Sequence, residues 1–206
     1  MTKLTASLLS AGLAVAATTA AGQSTILFDN IGNTSQGADV YSGTSWRALN
    51  FTTDGQPYTL NSVTLLLIEK TPGGAQVDIY SGNSQPTTWV GTLTSPGTYP
   101  SSLAPVTFTA AGTSLTANGS YWVTLHALGA GTIGWSWTRD NAGAGAGFST
   151  KMAASRDAGA FWIPYANSPY QMNLTASAVP EPGAWAILLL SVGGLALRPR
   201  RRRQAA

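Results

Sequence analysis

The chain has 206 residues, 9% of them charged, no cysteine and a formal net charge of +3; the missing thiols exclude disulfides, thiolate zinc sites and cysteine nucleophiles. The charge is uneven: residues 23–178 hold five basic side chains (Arg47, Lys70, Arg139, Lys151, Arg156) against seven acids (Asp29, Asp39, Asp54, Glu69, Asp78, Asp140, Asp157), a balance of −2. With no basic face there, a nucleic-acid partner is excluded.

Residues 1–22 read as a secretory signal peptide, expected to be helical. Lys3 supplies the positive start, Leu8 to Ala17 the apolar stretch, and Thr19-Ala20-Ala21-Gly22 the small-residue cleavage zone. Residues 23–178 remain, enough chain for one domain with its own core. Helical periodicity is lacking in them. Short β-branched and aromatic runs alternate with Gly, Pro, Asn and Ser, which predicts an all-β, jelly-roll-like antiparallel sandwich. Ten strands are expected: Thr25–Phe28, Arg47–Thr52, Tyr58–Glu69, Gln76–Tyr80, Trp89–Leu93, Val106–Thr109, Ser120–Ala127, Ile133–Thr138, Phe161–Pro164 and Tyr170–Ala176. Asp54-Gly55, Pro72-Gly73-Gly74, Pro96-Gly97 and Asn118-Gly119 punctuate them as turns. Gly143-Ala144-Gly145-Ala146-Gly147 has little side-chain mass to bury and is expected to be a mobile loop.

Residues 179–206 form a different kind of segment. Val179-Pro180-Glu181-Pro182 bars helix until its last proline. An apolar helix is expected over residues 183–197, followed by a basic tail over 198–203 with Arg198, Arg200, Arg201, Arg202 and Arg203. From Pro182 to Leu197 such a helix would reach roughly 24 Å, against a hydrocarbon core of about 30 Å. Snorkelling arginines could cover the difference and act as stop-transfer charge on the cytoplasmic side.

Few residues of the middle segment invite chemistry, and no cofactor is called for. His126 is the only histidine; it falls on an expected strand, without a Gly-x-Ser-x-Gly elbow in the chain, and reads as structural. The seven acids could supply a glycosidase pair only if two of them faced each other across a groove. Asp29, Asp39 and Asp54 fall in or beside expected turns, where Asp usually serves the local backbone. Asp29 and Asn30 could contribute to a single Ca²⁺ site. Trp46, Trp135 and Trp137 could stack on sugar rings, or fill a core that has no disulfides to help it.

Pro180, Glu181 and Pro182, the short apolar run and the terminal arginines together resemble the PEP-CTERM sorting signal of Gram-negative, exopolysaccharide-producing bacteria. That signature is also labelled an ice-binding protein C-terminal domain, a name that says nothing about antifreeze activity. The resemblance implies processing by an exosortase, from an inner-membrane-anchored precursor to the cell surface or extracellular matrix. Leu27-Phe28-Asp29-Asn30, Leu60-Asn61-Ser62-Val63-Thr64-Leu65, Val77-Asp78-Ile79-Tyr80-Ser81, Leu115 to Val123 and Ile133-Gly134-Trp135 resemble the choice-of-anchor type R domains of bacterial surface proteins. That family brings no catalytic residue. The expectation is thus an exported, non-enzymatic protein associated with extracellular polysaccharide, with a carbohydrate-binding module as the alternative and a glycoside-active enzyme as the weakest reading.

Overall fold

A computed structural model describes residues 23–180. In them the chain forms thirteen strands: β1 (Ser24–Asp29), β2 (Gly37–Ser42), β3 (Trp46–Thr52), β4 (Tyr58–Thr71), β5 (Ala75–Ser81), β6 (Thr88–Thr92), β7 (Ala104–Thr109), β8 (Ser114–Leu115), β9 (Ser120–Ala127), β10 (Thr132–Trp137), β11 (Lys151–Ser155), β12 (Ile163–Ala166) and β13 (Met172–Ala178). Seven make one sheet, in the order β1-β13-β4-β10-β2 with β7 and β8 also pairing β4; six make the other, in the order β12-β11-β3-β9-β5-β6. Every pairing is antiparallel.

The fold is therefore all-β and two-sheeted, with no helix among the described residues. This corrects the expected architecture in two respects. Thirteen strands, in sheets of seven and six, stand where ten were expected in the jelly-roll-like sandwich. The flanking signal-peptide and hydrophobic helices have no counterpart among the described residues, and the segments assigned to them, 1–22 and 183–197, lie outside those residues. No helix among the described residues is long and apolar enough to cross a membrane. The expected transmembrane helix, and the inner-membrane-anchored precursor that rests on it, are corrected to this extent: nothing among the described residues supplies them.

Sheet formation follows from side-chain alternation. On β9, Tyr121, Val123 and Leu125 join the main core with Leu49 and Phe51 of β3 and Val77 and Ile79 of β5. Across the sandwich they meet Val63, Leu65 and Leu67 of β4, Met172 and Leu174 of β13, Phe108 of β7 and Trp135 of β10. The other set on β9, Trp122, Thr124 and His126, points to the outer side of the smaller sheet, where a second cluster packs Trp122 with Ala48, Ala153 and Trp162. One strand thus feeds two clusters, as a period of two requires. The turn at Asn118 takes φ = 53°, the left-handed conformation Asn tolerates best after Gly.

The glycine-alanine segment is not a loose loop. Asp29 N–H donates to Ala144 O and Ala144 N–H returns the bond to Asp29 O, both at 2.8 Å. Gly147 N–H donates to Leu27 O, and Thr52 N–H donates to Gly147 O at 3.1 Å. The segment straps β1 of the larger sheet to β3 of the smaller one.

Candidate functional site

At one end of the sandwich each sheet stops at an edge strand, β2 on the larger and β12 on the smaller. Register pairs Trp135 with Asp39 and Ile133 with Tyr41, so these four side chains share the inner face of the larger sheet, with Trp137 two residues along. Chain from the β12–β13 connection closes the space. Tyr170 stacks on Trp135, with ring centroids 4.6 Å apart and an interplanar angle of 18°. Its hydroxyl donates to Asp39 Oδ2 at 2.8 Å. That bond uses the only hydroxyl hydrogen of Tyr170, so Tyr165 is the donor in the 2.8 Å contact between the two phenols. The result is a relay, Tyr165 to Tyr170 to the carboxylate of Asp39.

Burial pushes the Tyr165 and Tyr170 phenols above their ordinary value, so both stay protonated and keep donating. Behind them the Arg47 guanidinium lies over the Tyr41 ring, 4.9 Å from its centroid. Burial also pushes Tyr41 up, with Arg47 pulling the other way; its hydroxyl has no partner among the described residues.

Asp39, Trp137, Tyr165, Asn167, Ser168 and Tyr170 line a depression of about 210 Å³. Asn167 and Ser168 carry φ of 72° and 70°. Asn167 tolerates this left-handed conformation as Asn118 does, whereas Ser168 stores strain of roughly 1–3 kcal/mol in it. Surrounding bonds hold the loop: Ser168 N–H donates to Asn141 Oδ1 at 3.1 Å, and Thr138 N–H to Pro169 O at 3.0 Å. The depression combines a half-buried indole, a partly exposed phenol, one carboxylate and two polar residues fixed on a strained turn. It suits a small ring with one apolar face and a rim of hydroxyls.

Of the three tryptophans singled out in the sequence, Trp137 alone lines this depression. Trp135 is fully buried, with its indole N–H on Gln171 O at 2.9 Å; as a sugar platform it is corrected, because no face of it reaches solvent. Trp46 is half-buried and gives one face to His126, stacked at 4.2 Å, while the Trp162 edge comes to 6.4 Å. Trp89, on the far edge strand β6, is the most exposed of those described, at 57%.

Asp29 and Asn30, the two residues considered for Ca²⁺, serve neighbouring backbone groups. Asn30 donates to Tyr170 O at 3.0 Å and accepts from Met172 N–H at 2.8 Å, while Asp29 Oδ1 caps Ile31 N–H. Among the described residues there is no group of three or more metal-ligating His, Cys, Asp or Glu side chains. A single carboxylate, Asp39, lines the depression. Of the sorting motif, Val179 and Pro180 are exposed just after β13; Glu181, Pro182 and the arginines from Arg198 onward lie outside the described residues.

His126 lies over the outer face of the smaller sheet, where Asp78 accepts from Gln76 Nε2 at 3.0 Å and from the Thr92 hydroxyl. Burial holds the imidazole below its ordinary value, with Asp78 opposing. The folded state then takes up a proton less readily than the unfolded chain. Stability is complete above the unfolded value near 6.5 and falls as the pH drops below it. Denaturant midpoints measured from about pH 7.5 down to about pH 5 should decline, and His126→Phe, which keeps a ring against Trp46, should remove that part of the decline. An identical profile in the variant would refute the assignment.

No protein-family model matches the chain, and no curated protein matches it.

Proposed function

We propose that residues 23–178 form a non-catalytic carbohydrate-binding domain whose site is the depression between β2 and β12. The observation that carries this reading is the convergence of Trp137, Tyr165 and Asp39 around a volume of about 210 Å³. That volume lies below the roughly 300–1,000 Å³ of pockets for drug-sized ligands and suits about one sugar ring. The ring's C–H face would lie on the indole and phenol, and its hydroxyls would donate to Asp39 and pair with Asn167 and Ser168. The Tyr165–Tyr170 relay supports Asp39 from behind, fixing which carboxylate oxygen is spent within the protein and lowering the ordering cost on binding. Extracellular polysaccharide is the proposed partner. A single lining carboxylate supports binding over glycoside hydrolysis, which in its usual form needs two.

The test is a panel of immobilised polysaccharides probed with the full chain and with Trp137→Ala. Binding to at least one polysaccharide is expected, weakened about tenfold or more in the variant. Wild-type chain that retains nothing on the panel, or a variant that binds as well as wild type, would sink the reading.

A further inference from the structure

The lining of the depression between β2 and β12 carries one charge. Of its residues only Asp39 is ionised at neutral pH. Asp39 is exposed, and the bond it accepts from Tyr170 falls on Oδ2, which leaves Oδ1 open to a ligand. Arg47 lies over the Tyr41 ring, donates to the Trp46 carbonyl at 3.0 Å, and is not part of the lining. Arg139 and Asp140, which follow β10, are exposed, opposite in sign and also outside the lining.

What the lining offers a ligand is mostly acceptors. The hydroxyl hydrogen of Tyr165 goes to Tyr170 and that of Tyr170 to Asp39, so neither phenol has a proton to give. Asp39 Oδ1, the lone pairs of Tyr165 and the electron-rich faces of Trp137 and Tyr165 remain. Trp137 is half-buried and Tyr165 is 38% exposed, so both keep ring surface within reach of solvent. Asn167 and Ser168 can act as donor or acceptor, and the Trp137 indole N–H is a donor only. A sugar hydroxyl uses such a lining in part. An ammonium group uses it more fully, with three donors, no acceptor, and a positive charge for both the carboxylate and the ring faces.

We infer, resting on the carbohydrate-binding reading above, that this site selects an amino sugar with a free amine, its ring on Trp137 and Tyr165 and its ammonium on Asp39. The polysaccharide it fits is one that contains hexosamine without the N-acetyl group. Acetylation removes the charge and two donors, and adds a carbonyl acceptor beside a carboxylate. A uronic acid would meet repulsion from Asp39.

The experiment titrates the full chain calorimetrically with three β-1,4-linked tetramers that differ only at C2: those of glucosamine, N-acetylglucosamine and glucose. Mildly acidic buffer keeps the amine protonated. The glucosamine tetramer should bind at least about tenfold more tightly than either of the others, since the carboxylate and the aromatic faces act on the same group. Asp39→Asn keeps an acceptor for the Tyr170 hydroxyl and removes the charge, so that preference should shrink to about twofold or less. Asp54→Asn is the control. Asp54 accepts from the Tyr58 hydroxyl at the start of β4, and Tyr58 lies roughly 30 Å along that strand from Leu67, which pairs with Trp135 in the row of Asp39. Removing the same unit of charge there should leave the preference whole. Equal affinity for the glucosamine and N-acetylglucosamine tetramers, or a preference that survives Asp39→Asn, would overturn the inference. A preference lost equally in Asp54→Asn would overturn it too, in favour of a general attraction between a polycation and an acidic domain. If none of the tetramers binds while another polysaccharide on the panel does, the amino-sugar inference falls and the carbohydrate-binding domain stands. An empty panel removes both.

Discussion

Trp135→Ala is expected to destabilise the fold by about 3–5 kcal/mol, the range for truncating a large buried aromatic. Trp135 has no solvent exposure, stacks on Tyr170 and satisfies the Gln171 carbonyl through its indole N–H. The substitution opens a cavity, removes one of the two hydrogen bonds that the Gln171 carbonyl accepts (Leu66 N–H keeps the other, at 3.2 Å) and leaves Tyr170 unsupported beside Asp39. For a domain of this size each kcal/mol lowers the melting temperature by about 2–4 °C, so a fall of roughly 6–20 °C should appear in a thermal melt followed by circular dichroism. Trp137, two residues away on the same strand face, lines the depression and is only half-buried. Its removal should reduce glycan binding much more than stability. A Trp135→Ala variant that melts with the wild type would show that the indole is not part of the core.

Gly147→Ala should cost about 3 kcal/mol, the upper part of the range for overpacking. A methyl at Gly147 would collide with the Thr52 carbonyl oxygen and crowd Leu27 O. Both belong to the strap that ties β1 to β3, and a carbonyl in a strand has little room to yield. Gly147 does not sit at positive φ, so the penalty comes from contact and not from backbone preference. Gly55→Ala is the control: nothing lies within 4 Å of its added methyl, and it should be neutral or slightly stabilising. Chemical denaturation of the two variants beside the wild type checks the pair. Equal midpoints for Gly147→Ala and wild type would show that the strap bears no load.

The failure to foresee that strap has a simple cause. Gly-Ala repeats lack side chains, and composition reads this as freedom; here small size is what lets backbone approach backbone between two sheets. Strand identity was legible where alternation was strong, as in Ser120–Ala127, whose boundaries match β9. It was lost where the cues are weak. Gly37–Ser42 is a largely exposed edge strand, Lys151–Ser155 is alanine-rich, and Ser114–Leu115 is two residues long. Missing β2 also hid Asp39, which sequence position had put beside a turn and which in the fold faces Trp137 and Tyr170. Tyr165 and Tyr170 carry no motif. Their link to Asp39 spans 131 residues of chain and exists only through the closure of the two sheets. A spacing of two puts Trp135 and Trp137 on one strand face, but which of them reaches solvent is decided by Tyr170 lying over the first.

The central claim is that sugar rings sit between β2 and β12, on Trp137 and Tyr165. The most direct measurement is a heteronuclear NMR titration of the full chain with whichever polysaccharide the panel selects, cut to short oligomers. Shifts confined to Asp39, Trp137 and its indole N–H, Tyr165, Asn167 and Ser168 are the predicted result. Shifts centred on exposed Trp89 at the opposite edge of the smaller sheet, with the residues between β2 and β12 unmoved, would contradict it.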